Sequence, residues 1–172
     1  MTDYQGTYEI DPTHTRIGFI ARHAMVTKVR GNFDEWTADV EADGKNSSIK
    51  VVIQADSINT GNADRDGHTK GEDFFDVAKY PEITFVATDA DVENGKLTGD
   101  LTIKDVTKPV TLDVEIFGTE EDPFGNVRTG FEATTKINRK DFHVDFQAPL
   151  NSGGVLVSEQ ITIEVEGSAI KK

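Results

Sequence analysis

Cysteine is absent from this chain of 172 residues, which excludes disulfides, thiol nucleophiles and thiolate metal sites. Basic residues are few: 18 Lys and Arg stand against 31 Asp and Glu, a formal charge of −13. Nucleic-acid binding depends on cations that neutralise phosphates, so this balance excludes that class, and it disfavours adsorption to an anionic membrane. No apolar run approaches the ~18 residues of a spanning helix, so stable membrane insertion is not expected. Also missing are Gly-x-Ser-x-Gly, His-Glu-x-x-His and Gly-x-Gly-x-x-Gly, the common marks of acyl transfer, zinc proteolysis and dinucleotide binding. Any ligand should be small, or held mainly by apolar contacts.

What is present suits one globular domain over residues 1–172, with 36% hydrophobic and 28% charged residues. Met1-Thr2-Asp3-Tyr4 leads into a strand without a basic, then apolar, leader, and a cytoplasmic location is expected. Self-association as a homodimer stays open.

Residues 7–10, 15–23, 33–41, 49–55, 83–90, 97–103, 110–117, 129–137 and 160–170 read as strands by their period of two. Ile17, Phe19, Ala21 and His23 share a face; so do Leu97, Leu101 and Ile103, and Ile161, Ile163 and Val165. In the stretch 110–117, Val110, Leu112, Val114 and Ile116 line up while Thr111, Asp113 and Glu115 face away. Asp11-Pro12-Thr13-His14, Asp43-Gly44, Asn94-Gly95 and Asn151-Ser152-Gly153-Gly154 supply turns. The runs Lys104 to Pro109 and Glu120 to Gly125 read as longer connections.

Alternation stops between Gly61 and Tyr80. Asn62 suits an N-cap and Gly71 a stop, which places a short helix between them, although Gly67 inside it costs about 1 kcal/mol relative to Ala. Pro81 then starts the next strand. About eight short strands with hairpin-length connections imply antiparallel neighbours whose apolar face must be hidden, in a sandwich or a closed barrel. The pattern alone leaves both open.

Several motifs in fixed order narrow the choice. Arg65-Asp66-x-His68, Asp73-Phe74-Phe75-Asp76-Val77 and Tyr80-Pro81-x-Ile83-Thr84-Phe85 come first. Gly99-Asp100-Leu101-Thr102-Ile103, Val106-Thr107-Lys108-Pro109-Val110 and Ile137-Asn138-Arg139-x-Asp141-Phe142 follow. Together they resemble the YceI-like family from about residue 8 to residue 170. The resemblance implies an all-β fold: one antiparallel lipocalin-like barrel, with residues of about 61–80 crossing one end. It also implies binding, storage or transport of an isoprenoid lipid, either a polyprenyl chain or an isoprenoid quinone. Thr69, Asp105 and His143 depart from the family pattern, and Thr69 and His143 are candidates for polar groups near the rim.

On that reading the ligand walls are Ile17, Phe19, His23, Phe33, Ile53, Phe74, Phe75, Phe85, Leu101, Leu112, Val114, Phe131, Phe142 and Phe146. Phe74 and Phe75 face different ways in any regular conformation, so one of the two is expected to close an end. Arg65, His68 and Arg139, helped by Arg22 or Lys28, form a candidate rim for a phosphate or quinone head group. No catalytic residue, metal ligand or resident cofactor is assigned, and His14 and His23 read as hydrogen-bonded residues at strand ends. Two other readings stay in view: a small-molecule enzyme using Arg65, Asp66 and His68, and a stress-response structural module whose barrel is packed solid.

Overall fold

The computed structural model describes residues 5–24, 26–43, 46–145 and 157–172, and its strands run antiparallel throughout. They are β1 (Gly6–Ile10), β2 (Arg16–His23), β3 (Thr27–Phe33), β4 (Trp36–Ala42), β5 (Ser47–Gln54), β6 (Ile58–Asn59), β7 (Glu82–Ala90), β8 (Lys96–Ile103), β9 (Val106–Glu121), β10 (Val127–Asn138) and β11 (Gln160–Lys171). The one α-helix among the described residues, α1 (Ala63–Lys70), follows β6.

Eleven segments make eight staves. β1 and β2 both lie against β11, at Ala169–Lys171 and Thr162–Glu166 respectively, so they form one stave broken at residues 11–15. β3 and β4 continue one another across residues 34–35, and β5 and β6 likewise pair with β4 and then β3. The ring runs through β7, β8, β9, β10 and β11 and closes where β11 meets β1. Full closure leaves no edge along the wall, which is how such a sheet hides its apolar face. The expected barrel is therefore the observed one.

Several boundaries differ from those read in the sequence. β3 is a full strand, although only its last residues carried a signal: its inward positions are Val29, Gly31 and Phe33, and one of these has no side chain. The connection expected at Lys104 to Pro109 shrinks to Lys104 and Asp105, with Lys104 in the left-handed region at φ 57°. Pro109 is inside β9 opposite Asp100, above the last β9–β10 pair (Asp113 with Thr134), so its missing N–H costs no ladder bond on that side. The acidic run is mostly strand too, and only residues 122–126 separate β9 from β10. Near this tip the register slips between Gly130 and Phe131, leaving Phe117 unpaired and 58% exposed while Ile116 stays inward.

α1 matches its caps. Asn62 accepts a hydrogen bond from the Arg65 N–H at 3.0 Å, and the Gly71 N–H closes on the His68 carbonyl. The predicted turn at Asn94-Gly95 is present, with Gly95 left-handed at φ 79°. Asp43 bounds its hairpin, whereas Gly44 and the Asn151 to Gly154 turn lie outside the described residues.

Candidate ligand-binding cavity

Inward faces of the staves surround a cavity of about 490 Å³, a volume typical of pockets that hold a small organic ligand. Its walls run the length of the barrel: on β11 alone Ile161, Ile163, Val165 and Ala169 face it. A barrel packed solid would leave no such volume. At one end Tyr8, Ser47, Thr129 and Ala169 line the cavity and are all buried. At the other end the lining residues Arg22, His23, Arg65 and His68 are exposed, and this is the mouth.

Ile17, Phe19, His23, Phe33, Ile53, Phe85, Leu101, Leu112, Val114 and Phe131 all line the cavity. Phe74 and Phe75, both read as walls in the sequence, both line it as well. The chain from Gly71 to Tyr80 is a series of turns, with Asp76 left-handed at φ 47°, so its side chains do not alternate as in a regular element. Phe75 meets Phe33 edge-on with ring centroids 6.0 Å apart, and Phe33 in turn packs on Phe19 at 5.8 Å. Phe74 receives the His68 ring edge-on at 5.0 Å.

Phe142 is a correction. It is 2% exposed and does not line the cavity; it belongs to the core beneath the 3-10 turn Arg139–Phe142, which contacts both β9 and β10 where the two strands part. Phe146 lies outside the described residues.

Arg139 corrects the rim assignment. It is 4% exposed, and its guanidinium donates to the carbonyls of Ser158, Val144 and Val157. Burial pushes its pKa down, with Glu159 and Asp145 opposing that shift. Its donors are occupied in holding the chain around the 3-10 turn, so it is a structural cation, not an open rim group. Lys28 does not line the cavity, and His143 does not either; its Nδ1 meets Asp105 at 3.1 Å. Thr69 does line it, as its departure from the family pattern suggested.

Arg65, Asp66 and His68 do not converge on one point. Arg65 donates from Nε to Thr60 Oγ1 and from Nη2 to the Thr60 carbonyl, both at 2.9 Å. Asp66 accepts from the Thr60 N–H at 2.9 Å and from its hydroxyl at 2.6 Å. His68 meets Asp73 at 3.2 Å. Arg65 and Asp66 share one partner, Thr60, which ties α1 to the end of β6. No pattern in the sequence marks Thr60, because the contact depends on how the helix folds back. Trp36 and Val157 are further lining residues that the sequence reading missed.

Charge is distributed unevenly. Of the chain's 31 Asp and Glu, none lines the cavity among the described residues. The Arg and His groups among the lining residues are Arg22, His23, Arg65, His68 and Arg139, all at the α1 end. No group of three His, Asp or Glu side chains gathers as a metal site among the described residues.

A profile of the YceI-like domain matches residues 8–169. The chain belongs to the YceI-like family. A UPF0312 protein of Staphylococcus aureus (strain MSSA476) is 38% identical over 161 residues, covering 91% of this chain and 93% of that one. Among solved structures of similar fold, the Campylobacter jejuni YCEI protein superposes with a TM-score of 0.74 at 32% identity, over 100% of this chain and 99% of that one. The polyisoprenoid binding domain from Saccharophagus degradans superposes with a TM-score of 0.71 at 16% identity, over 96% and 98%. In this YceI-like chain the described helix is too short to cross a membrane.

Proposed function

We propose that this YceI-like protein binds an isoprenoid lipid, a polyprenyl chain or an isoprenoid quinone, and stores or carries it with the chain inside the barrel. The observation that carries this reading is the cavity itself: apolar along the barrel, with Arg22, Arg65 and His68 exposed at the α1 end. The polyisoprenoid binding of the Saccharophagus degradans domain, which shares the fold, agrees with it. Each CH₂ buried contributes roughly 0.8 kcal/mol, less the cost of ordering the chain. A tail of several isoprene units therefore binds without any charged contact. A protein of net charge −13 has little affinity for an anionic bilayer, which suits a shield for a lipid tail away from the membrane.

For the head group, Arg22, Arg65 and His68 at the mouth favour an anion such as a phosphate. An enzyme built on Arg65, Asp66 and His68 is the weaker reading, because Thr60 and Asp73 divide these side chains between separate partners. Mass spectrometry of organic extracts of the purified protein tests the proposal. A co-purifying prenyl-chain lipid is expected, and its absence together with failure to take up added polyprenol would overturn the reading.

A further inference from the structure

Gly31 faces the barrel interior from β3, directly opposite Phe19 of β2. Its backbone lies in an ordinary strand conformation, so the chain geometry does not call for glycine there. What does is the neighbouring ring. A Cβ at position 31 would stand 2.4 Å from Phe19 Cζ and 2.7 Å from Cε1, where ordinary contact begins at 3.4 Å. The far end of the Phe19 ring, Cζ with Cε1 and Cε2, therefore occupies the space that a side chain at 31 would fill. The same device recurs on another wall: Phe85 lies over Gly99, whose Cβ would stand 2.6 Å from Phe85 Cζ.

We infer that the Phe19–Gly31 pair sets the lumen's width and selects a methyl-branched chain over a straight one. This rests on the isoprenoid reading and adds the feature of the ligand that is recognised. A prenyl chain carries a methyl on every fourth main-chain carbon and needs a wider tube than an unbranched acyl chain. Any side chain at 31 must push the ring about 1 Å or more into the lumen, given the 2.4 Å separation and the 3.4 Å limit of ordinary contact. A straight chain tolerates that narrowing better than a branched one. Conversely, trimming Phe19 widens the tube and leaves a straight chain with gaps along its length.

The test is equilibrium binding of phytanol (3,7,11,15-tetramethylhexadecan-1-ol) and of hexadecanol, both saturated, which share a main-chain length and differ in branching, to delipidated protein. In Gly31→Ala the preference for the branched alcohol should fall about tenfold or more, the scale on which a pocket discriminates single methylenes. Adding Phe19→Leu to Gly31→Ala should restore the preference, and Phe19→Leu alone should raise it. An unchanged preference in folded Gly31→Ala, or equal loss of both alcohols, would overturn the inference while leaving the isoprenoid reading standing. If Gly31→Ala does not fold, Phe19→Leu alone decides, and an unchanged preference there overturns it. Failure of the unsubstituted protein to bind either alcohol would sink both ideas together.

Discussion

Arg128 on β10 holds Asp11, 117 residues earlier in the chain, with Nη1 donating to Oδ2 at 2.6 Å. Its Nε donates to Asp122 Oδ2, also at 2.6 Å, so one guanidinium joins the break between β1 and β2 to the tip of the β9–β10 hairpin. His14 and Thr13 complete the cluster around Asp11. Arg128 is the largest cause holding both carboxyls low: Asp122 falls to about 2, and Asp11 falls well below the usual carboxylate range.

Carboxyls depressed in the folded state stabilise it above their ordinary pKa near 4, and that contribution is lost as pH falls through the folded values. Stability should therefore drop between pH 4 and 2, and further below. In Arg128→Met the thermal midpoint at pH 7 should be lower and its fall between pH 4 and 2 shallower. Parallel curves for the two proteins would show that the cluster is not coupled to folding.

Arg139→Met removes donors from three carbonyls around the 3-10 turn. Unsatisfied buried acceptors cost ~1–3 kcal/mol each, so the loss should reach about 3 kcal/mol or more, measured by denaturant unfolding of lipid-free protein. A variant with unchanged stability but weakened lipid uptake would return Arg139 to the rim role.

Much of this barrel is legible in the chain because strand faces alternate cleanly where both neighbours are present. Leu112 and Val114 inward with Asp113 outward is such a case, as are Ile161, Ile163 and Val165. Legibility failed where a single residue carried an unseen duty. Gly31 interrupts the apolar face of β3 because Phe19 occupies its space, and Pro109 reads as a turn although β9 needs no N–H from it on the open side. The site was less legible than the walls. Phe142 and Phe75 are the same residue type in similar company, yet only three-dimensional placement makes one core and the other lining.

That difference predicts opposite readouts. Phe142→Ala should lose about 3–5 kcal/mol of stability, as a fully buried ring does. Phe75→Asp, at the mouth end of the cavity, should keep its β-structure and fail to take up lipid, because a charge on the wall opposes apolar binding. A Phe75→Asp protein that does not fold would mark this ring as plain core.

The central claim, that an apolar chain fills the barrel, is tested most directly at Val114, which lines the cavity midway along the inward row of β9. A solid core has no room for an indole there, and overpacking costs ~1–3 kcal/mol. A cavity has room, but the ring then occupies the ligand's volume. The measurement is the thermal midpoint of lipid-free Val114→Trp, taken together with its uptake of polyprenol. An unchanged midpoint with uptake sharply reduced is the predicted result. A large fall in midpoint without lipid, or full uptake despite the indole, would contradict a ligand chain lying in this barrel.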